Sequence, residues 1–490
     1  MILMLCALIP FLGIALTFGK RSVRRSLPAL VFAAVFSFIC SASTLVMWSR
    51  GETRRFYNGF FVSDSSSRLF VALISAVFTG VALYVVNRGL TNPFALRRIQ
   101  RFVRGALLFF CAAVLAITSS HFILMWIFLE ATTLSIAPLI YHEKGSSSVR
   151  AAWKYFLFSG VALGMVFLGF VCLGLSLTPQ AAFGGMGPEV SFFFQDLLAR
   201  SAVPGELGVQ PWRDLGLALI ILGFGTKLGL APMYTWLPET YDQSPPSVTV
   251  LLAAIQFNVV MVAVFRVFQY LEPLQSPIIR YELLCLGLAS ILVSALHIVV
   301  AKNYKRLIAY ASINHAGVIA VGLGIGKGAA YGVVLYTISN ALVKAVLFLT
   351  CGNIKARYHT KSMANIHGLI KAMPFSGWFF MIGIFALLGF APFGSFFGEL
   401  LIMKTMIDGK YFALFSIFGL LMTVVFVSTG RATFPMIWGE PKHEVSLHGE
   451  SIYMLLPKLF FVVLLLSLGI YLPAGANAFL RDIATGVGGR

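Results

Sequence analysis

Apolar runs close to twenty residues long recur from one end of this sequence to the other, and they constrain its fold more than any other feature. A helix needs about twenty apolar residues to cross the hydrocarbon core of a bilayer, and the sequence holds about fourteen such runs. Of its 490 residues, 59% are hydrophobic and 11% are charged, which leaves too little polar surface for a water-soluble domain. The sequence therefore predicts an all-α integral membrane protein. The predicted spans are approximately 1–19, 28–48, 69–87, 105–119, 121–141, 152–176, 214–240, 245–271, 281–302, 306–326, 328–353, 375–407, 411–438 and 452–474.

The positive charge is unevenly distributed between the connections. The formal net charge is +19, but the basic residues lie in short loops between spans, so an excess in cytoplasmic loops explains them better than a nucleic-acid partner does. The first run lacks the basic start and cleavage site of a signal peptide and is predicted to be the first span. An even number of spans then places both termini on the outer face. The basic residues of the predicted cytoplasmic loops are Lys20, Arg21, Arg24, Arg25, Arg88, Arg97, Arg98, Arg101, Arg104, Lys302, Lys305, Arg306, Lys355, Arg357 and Lys361.

The cysteine pattern argues against a metal centre or cofactor on this chain. There is no CxxC pair and no Cys/His cluster of the kind that holds zinc or an iron–sulfur cluster. We therefore expect redox centres, if there are any, on other chains. The six cysteines occur singly, at Cys6, Cys40, Cys111, Cys172, Cys285 and Cys351.

Prolines interrupt two of the predicted spans. Pro232 and Pro238 lie in one and Pro392 in the other, and each removes a backbone hydrogen bond within hydrocarbon, which is tolerated where the freed groups face protein or a wet cavity. Such interruptions in both halves of a transporter indicate inverted repeats and a midplane pathway. The longest connection, 177–213, is rich in Gly and Pro and predicts an outer loop with room for a short helix.

Four charged residues lie deep within predicted spans, where an unpaired charge costs several kcal/mol. A structural ion pair explains any one of them, but four on separate spans favour a relay in which lysine and glutamate pass protons on. They are Glu130, Lys227, Lys344 and Glu399. Lys154 and Arg266 lie nearer to span ends and are expected to reach the interface. His315 and His297 can titrate near neutral pH, although a lone histidine is as often a packing residue.

Several segments resemble the antiporter-like membrane subunits of respiratory complex I, Mrp antiporters and membrane-bound hydrogenases. The most specific is TKLGLAPMYTWLPETYDQSPPSVTVLL at 226–252. The others follow in the order that the family has: WIFLEATTLS (126–135), AAWKYFLFSG (151–160), KRLIAYASINHAG (305–317), NALVKAVLFLTCGNI (340–354) and GFAPFGSFFGELLI (389–402).

This resemblance implies fourteen helices with two inverted five-helix repeats, each containing a broken helix. It implies a proton relay with Glu130 and Lys227 on the uptake side, Lys344 at the centre and Glu399 on the release side, and Lys154 matches a further lysine that is frequent in the family. The implied organisation is helices 1–3 in 1–104, a first repeat in 105–271, a second repeat in 281–438, and helix 14 with a tail in 439–490.

The sequence departs from the family pattern at several polar positions. Asn303 stands where an aspartate is common, and Asn258 where the family usually has a lysine. Tyrosines or asparagine replace common histidines at Tyr234, Tyr241, Tyr336 and Asn340. These departures leave undecided whether the first half-channel conducts protons.

With Asn258 and the acidic Glu399 at these two positions, the sequence resembles the hydrogenlyase-type members of the family. That similarity implies a proton-translocating subunit in a prokaryotic cytoplasmic membrane, with other membrane subunits and a nickel–iron hydrogenase or quinone/NADH module as partners. Such a subunit would carry no redox chemistry itself. Three alternatives remain open: a subunit of a sodium–proton antiporter, a membrane subunit that powers carbon dioxide hydration by a zinc partner, and a structural anchor.

Overall fold

The computed structural model describes residues 2–17, 22–47, 52–91, 96–141, 145–176, 192–196, 210–271, 277–441 and 452–488. Lys20, Arg21 and most of the 177–213 connection lie outside these ranges, so the loop predicted there is not described. The first half contains α1 (Ile2–Leu16), α2 (Ser22–Met47), β1 (Arg54–Phe56), β2 (Phe61–Ser63), α3 (Ser65–Thr91), α4 (Leu96–Thr118), α5 (Phe122–Ile140), α6 (Ser146–Ser176), α7 (Gln210–Leu228), α8 (Trp236–Gln243), α9 (Pro246–Val250), a π-helix (Leu251–Gln256) and α10 (Phe257–Leu271).

The second half is also helical. It contains α11 (Pro277–Val299), α12 (Tyr304–Ile325), a 3₁₀ turn (Lys327–Ala329), α13 (Ala330–Tyr358), a second 3₁₀ turn (Met363–Asn365), α14 (Leu369–Ala372), α15 (Pro374–Leu387), α16 (Gly394–Asp408), α17 (Phe412–Trp438), α18 (Ile452–Ile470) and α19 (Ala474–Gly488). Within the described ranges, ten helices are long and apolar enough to cross a membrane, or eleven if the bent pair α18–α19 counts as one. The helical membrane fold is therefore confirmed.

The sequence did not reveal the hairpin β1–β2 or the last helix. The two short strands pair antiparallel, with Phe56 opposite Phe61, and the turn between them places Tyr57, Asn58 and Gly59 at φ 51°, 55° and 90°. Asn and Gly tolerate this left-handed region best. The predicted last span ended at 474, whereas α18 ends at Ile470 and α19 follows at an angle of 76°.

Both predicted interruptions are present, and they share one backbone geometry. Gly229 ends α7 at φ 85° and Gly389 ends α15 at φ 69°. The following residue closes the helix end in each case, with Leu230 N donating to Gly225 O at 2.8 Å and Phe390 N donating to Phe385 O at 3.0 Å.

A side chain beyond each break also satisfies an exposed carbonyl. Trp236 Nε1 donates to Thr226 O at 3.0 Å, and Ser395 Oγ donates to Ala386 O at 2.7 Å. Pro238, in contrast, does not interrupt a helix. It is the third residue of α8, where the backbone nitrogen has no intrahelical acceptor to lose.

Close helix pairs pack through glycine. A Cβ on Gly169 of α6 would lie 2.6 Å from Gly216 O of α7, and a Cβ on Gly287 of α11 would lie 2.9 Å from Gly317 O of α12. Small residues let helix backbones approach in this way where water supplies no hydrophobic driving force. The most apolar stretch of α13 is completely buried, whereas that of α17 is 17% buried, so α13 lies at the centre and α17 at the periphery.

Candidate functional site

Lys227 lies at the end of α7, two residues before the break at Gly229. It is 4% exposed, and its Nζ donates a hydrogen bond to Thr133 Oγ1 of α5. Its Nζ also lies 6.0 Å from the centroid of the Tyr155 ring of α6. The broken helix therefore places this ammonium group among α5, α6 and α7.

Glu130 lies on α5, one turn before Thr133. Its Oε2 is buried and has no hydrogen-bond partner in the described part of the chain, and no nitrogen–oxygen distance of 4 Å or less joins it to Lys227 within that part. The two charges still interact electrostatically. The structure thus brings the predicted pair together, with Thr133 rather than the carboxylate as the direct partner of Lys227.

Lys154 forms an ion pair that the sequence did not predict. Its Nζ lies 2.7 Å from Glu239 Oε1 of α8, and the two side chains are 39% and 36% exposed. Lys154 and Glu239 therefore link α6 to the second part of the broken helix.

The expectation that Arg266 reaches the interface is wrong. Arg266 is completely buried, pairs with Asp64 at 3.4 Å, and donates hydrogen bonds to Ser67 Oγ at 2.9 Å and Ile117 O at 2.7 Å. Burial raises the pKa of the Asp64 carboxyl, but Arg266 and Ser67 outweigh burial and hold that pKa below its ordinary value. This pair locks the start of α3 to α4 and α10.

Lys344 lies near the middle of α13 and is 0% exposed. Its Nζ has no hydrogen-bond acceptor among the described residues and lies 4.6 Å from the centroid of the Phe257 ring. The ring face offsets part of the cost of burying the charge.

Uncharged polar side chains surround this central region without satisfying one another. In the described part of the chain, both ends of the Gln256 and Asn340 amides lack partners. Asn258 donates to Ala254 O at 2.6 Å, but its Oδ1 is unpartnered. The π-helix, which ends at Gln256, packs against α13, the helix that carries Lys344. Buried polar groups of this kind are normally hydrogen-bonded by ordered water, so the arrangement is typical of a hydrated path.

His315 of α12 and Tyr336 of α13 contact each other in the second half of the chain. His315 is 3% exposed, and its Nδ1 is hydrogen-bonded to the Tyr336 hydroxyl. The charge of Lys344 acts on His315, and that of Glu399 acts on Tyr336. Tyr336, noted above as a departure from a histidine, therefore takes part in the connection between the two predicted relay residues.

The Glu399 side chain of α16 lies against the second break at Gly389. Its Oε2 lies 3.0 Å from where a Cβ on Gly389 would be. The carboxylate lines a cavity of about 340 Å³, together with Asn314, Gly419 and Met422. The remaining wall is mostly apolar, so the carboxylate and the Asn314 amide are its main polar features.

Sequence analysis did not single out Asp242 of α8, which links this helix to the start of α12 and to the segment after α13. Its carboxylate pairs with Lys361 at 2.9 Å and Arg306 at 3.3 Å, and accepts a hydrogen bond from Asn303 at 3.1 Å. The buried Lys305 donates to Ser244 O at 2.6 Å. The carboxylate absent at Asn303 is thus supplied by Asp242 of α8. The sequence gave no signal for this role, because Asp242 falls between the predicted spans 214–240 and 245–271.

No cluster of three or more His, Cys, Asp or Glu side chains suited to a metal ion occurs among the residues that the structure describes. The expectation that this chain carries no cofactor remains a prediction.

Residues 119–426 match the family described as NADH:quinone oxidoreductase/Mrp antiporter, TM. The chain belongs to this family. All six predicted relay residues, Glu130, Lys154, Lys227, His315, Lys344 and Glu399, lie within the matched region. The chain is accordingly an antiporter-like membrane subunit, and the resemblance drawn from its motifs is confirmed.

Individual relatives agree with this assignment. The hydrogenase-4 component F homolog of Methylacidiphilum infernorum is 28% identical over 479 residues, covering 95% of each chain. A subunit of the Na⁺/H⁺ antiporter of Bacillus subtilis is 26% identical over 346 residues, covering 69% of this chain and 67% of that one. A chain of the membrane-bound sulfane sulfur reductase, an archaeal respiratory membrane complex, has a TM-score of 0.85 at 20% identity and shows the same fold, covering 99% of this chain and 96% of that one.

Proposed function

We propose that this chain moves protons across the membrane as a subunit of a redox-driven multisubunit complex. The observation that carries the proposal is Lys344, a completely buried lysine with no hydrogen-bond acceptor among the described residues. A lysine that serves only to stabilise a fold is normally paired, whereas one in such surroundings can exchange its proton.

The relay would run along a line of groups at mid-depth. Glu130 and Lys227 supply the first part, which Lys154 joins from nearer the surface, and Lys344, His315 and Glu399 supply the second. Gln256, Asn258 and Asn340 belong to the π-helix, α10 and α13, which pack together, and they would hold water between the two parts. Asn258 thus takes the position of a lysine without blocking a water-mediated path.

The membrane architecture that supports this relay has fourteen spans. The eleven spans counted above become fourteen when α1, the broken α7–α8 and the broken α15–α16 are added. The matching breaks at Gly229 and Gly389 support two inverted repeats in 105–271 and 281–438, between the first helices in 1–104 and the last segment 439–490. The basic loops support a prokaryotic cytoplasmic membrane with both termini outside.

The partners would be other membrane subunits and a peripheral redox module. The similarity to the hydrogenase-4 component F homolog favours a nickel–iron hydrogenase over a quinone/NADH module. The redox centres would lie on those other chains, and no cofactor would be held here.

Replacing the central lysine tests the proton function. The complex that contains this chain is purified with its partners and reconstituted in liposomes, and a potassium diffusion potential drives protons past a trapped pH dye. Lys344→Met should lower this flux by about a hundredfold, because the loss of a positioned proton carrier has an effect of that order. Lys404→Met replaces an exposed lysine of α16 and should leave the flux unchanged. A normal flux in an assembled Lys344→Met complex would refute the proposal.

Sodium–proton exchange is a second candidate function, favoured by the similarity to the Na⁺/H⁺ antiporter protein of Bacillus subtilis. The same liposomes decide between the two. Proton flux that depends on sodium on the opposite side would indicate exchange, whereas flux in sodium-free buffer supports proton translocation alone.

A further inference from the structure

Glu239 occupies a position in the first broken helix that matches that of Glu399 in the second. Each glutamate follows its break glycine, Gly229 or Gly389, by ten residues. The residues whose carbonyls accept a side-chain hydrogen bond at the two breaks, Thr226 and Ala386, also precede these glutamates by the same number of residues in the sequence. The correspondence therefore covers the backbone, the satisfied carbonyl and the acidic side chain.

The two glutamates lie towards opposite faces of the membrane. Asp242 at the end of α8 contacts Lys361, which follows α13, so α8 ends at the face where the chain leaves α13. The broken pair α15–α16 begins at this same face and ends at the other one, at Asp408. The face at which α8 ends holds Arg306 and Lys361 and is called the basic-loop face here. Since each glutamate follows its break, Glu239 lies towards this face and Glu399 towards the opposite one.

Glu239 is also connected to the first relay lysine. Its partner Lys154, at 2.7 Å, is followed in α6 by Tyr155, whose ring lies 6.0 Å from Lys227 Nζ. The Glu239 side chain is 36% exposed at the surface of this chain, whereas Lys227 is 4% exposed and lies inside it.

We propose that Glu239 is the carboxylate that takes up protons from the basic-loop face, as Glu399 releases them at the other. A proton from the aqueous phase binds a Glu239 carboxylate oxygen and breaks the ion pair with Lys154. The same proton then leaves through the first break to neutral Lys227, and the ion pair forms again. This inference rests on the proposed proton function.

A structural role for the ion pair makes a different prediction. If Lys154 and Glu239 only clamp α6 to α8, exchanging the two residues should preserve both the clamp and the transport. Under the uptake role, the exchanged variant Lys154→Glu/Glu239→Lys keeps an ion pair but has no carboxylate on the broken helix, and it should assemble without conducting.

The test measures assembly and potential-driven proton flux in the reconstituted complex. We expect at least about a tenfold loss of flux in Glu239→Gln and in the exchanged variant, and retained flux in Glu239→Asp. Asp214→Asn removes a comparable partly exposed ion pair, Arg213–Asp214 at 3.2 Å on α7, and should leave the flux unchanged.

The outcomes separate this inference from the proton function. Wild-type flux in either Glu239→Gln or the exchanged variant overturns the role of Glu239. If Glu239→Gln does not assemble, the exchanged variant decides by its flux relative to Lys154→Gln, which removes the lysine alone. Loss of flux in Lys344→Met with normal flux in the Glu239 variants defeats the uptake role alone, whereas normal flux in Lys344→Met defeats the proton function itself.

Discussion

Buried charges in this chain are of two kinds, and their surroundings distinguish them. Arg266 pairs with Asp64 at 3.4 Å and donates hydrogen bonds from Nη2 to Ser67 and Ile117, as expected of a charge that fixes helices in place. Lys344 Nζ lies against the Phe257 ring and has no hydrogen-bond acceptor within the described ranges. The first kind stabilises the fold, and the second suits the proton exchange proposed above.

Asp64→Asn should destabilise the protein in a pH-dependent way. The variant leaves Arg266 without its counter-charge, which costs about 3 kcal/mol for a buried pair, so the thermal unfolding temperature of the purified complex should fall at pH 7. Because the folded-state pKa of Asp64 lies below its unfolded value, this stabilisation is present at neutral pH and is lost as pH falls through the folded pKa. The wild type and the variant should therefore converge below about pH 4.

The matched control for this measurement is Glu52→Gln. Glu52 pairs with Arg54 at 3.3 Å, with both side chains about half exposed, and such surface pairs contribute little. An Asp64→Asn variant as stable as Glu52→Gln at pH 7 would contradict the structural role of the pair.

At the scale of elements, the sequence predicted the helices and both breaks, but only part of the site. Apolar runs and mid-span prolines are local signals, so Pro232 and Pro392 marked the breaks correctly. The ion pair of Lys154 with Glu239 and the contacts of Asp242 join segments far apart in sequence, and no local pattern specifies them. Arg266 was assigned wrongly for the same reason, because its partner Asp64 lies about 200 residues earlier in the sequence, just before α3. The hairpin was missed because its strands have only three residues each.

Gly229 should be essential to the geometry of the first break. Its φ of 85° is costly for any residue with a Cβ, and a Cβ there would lie 2.4 Å from Leu237 Cδ1. Gly229→Ala should therefore destabilise the protein by about 1–3 kcal/mol, measured as a lower unfolding temperature. Gly164→Ala, on α6, meets nothing within 4 Å and should be neutral or slightly stabilising. Equal stability of the two variants would show that the break does not depend on this glycine.

At the scale of the whole molecule, the two breaks and the distribution of charge bear on the proposed direction of proton movement. The face that holds Asp242, Lys305, Arg306 and Lys361 is the face towards which Glu239 lies. Lysine and arginine are retained on the cytoplasmic side during insertion. In the proposed topology, the charge asymmetry that orients the chain also decides which glutamate faces the cytoplasm.

This orientation can be tested with single cysteines on the two faces. Ala356, in the last turn of α13, and Asp408, the last residue of α16, are both exposed and separated by the broken pair α15–α16. In a background with the exposed Cys285 replaced by Ser, Asp408→Cys should react with a membrane-impermeant maleimide added to intact cells. Ala356→Cys should react only after the cells are permeabilised, because the basic residues around it hold that face in the cytoplasm. The reverse labelling pattern would place Glu239 on the outer face, and the direction of proton uptake proposed for it would then have to be inverted.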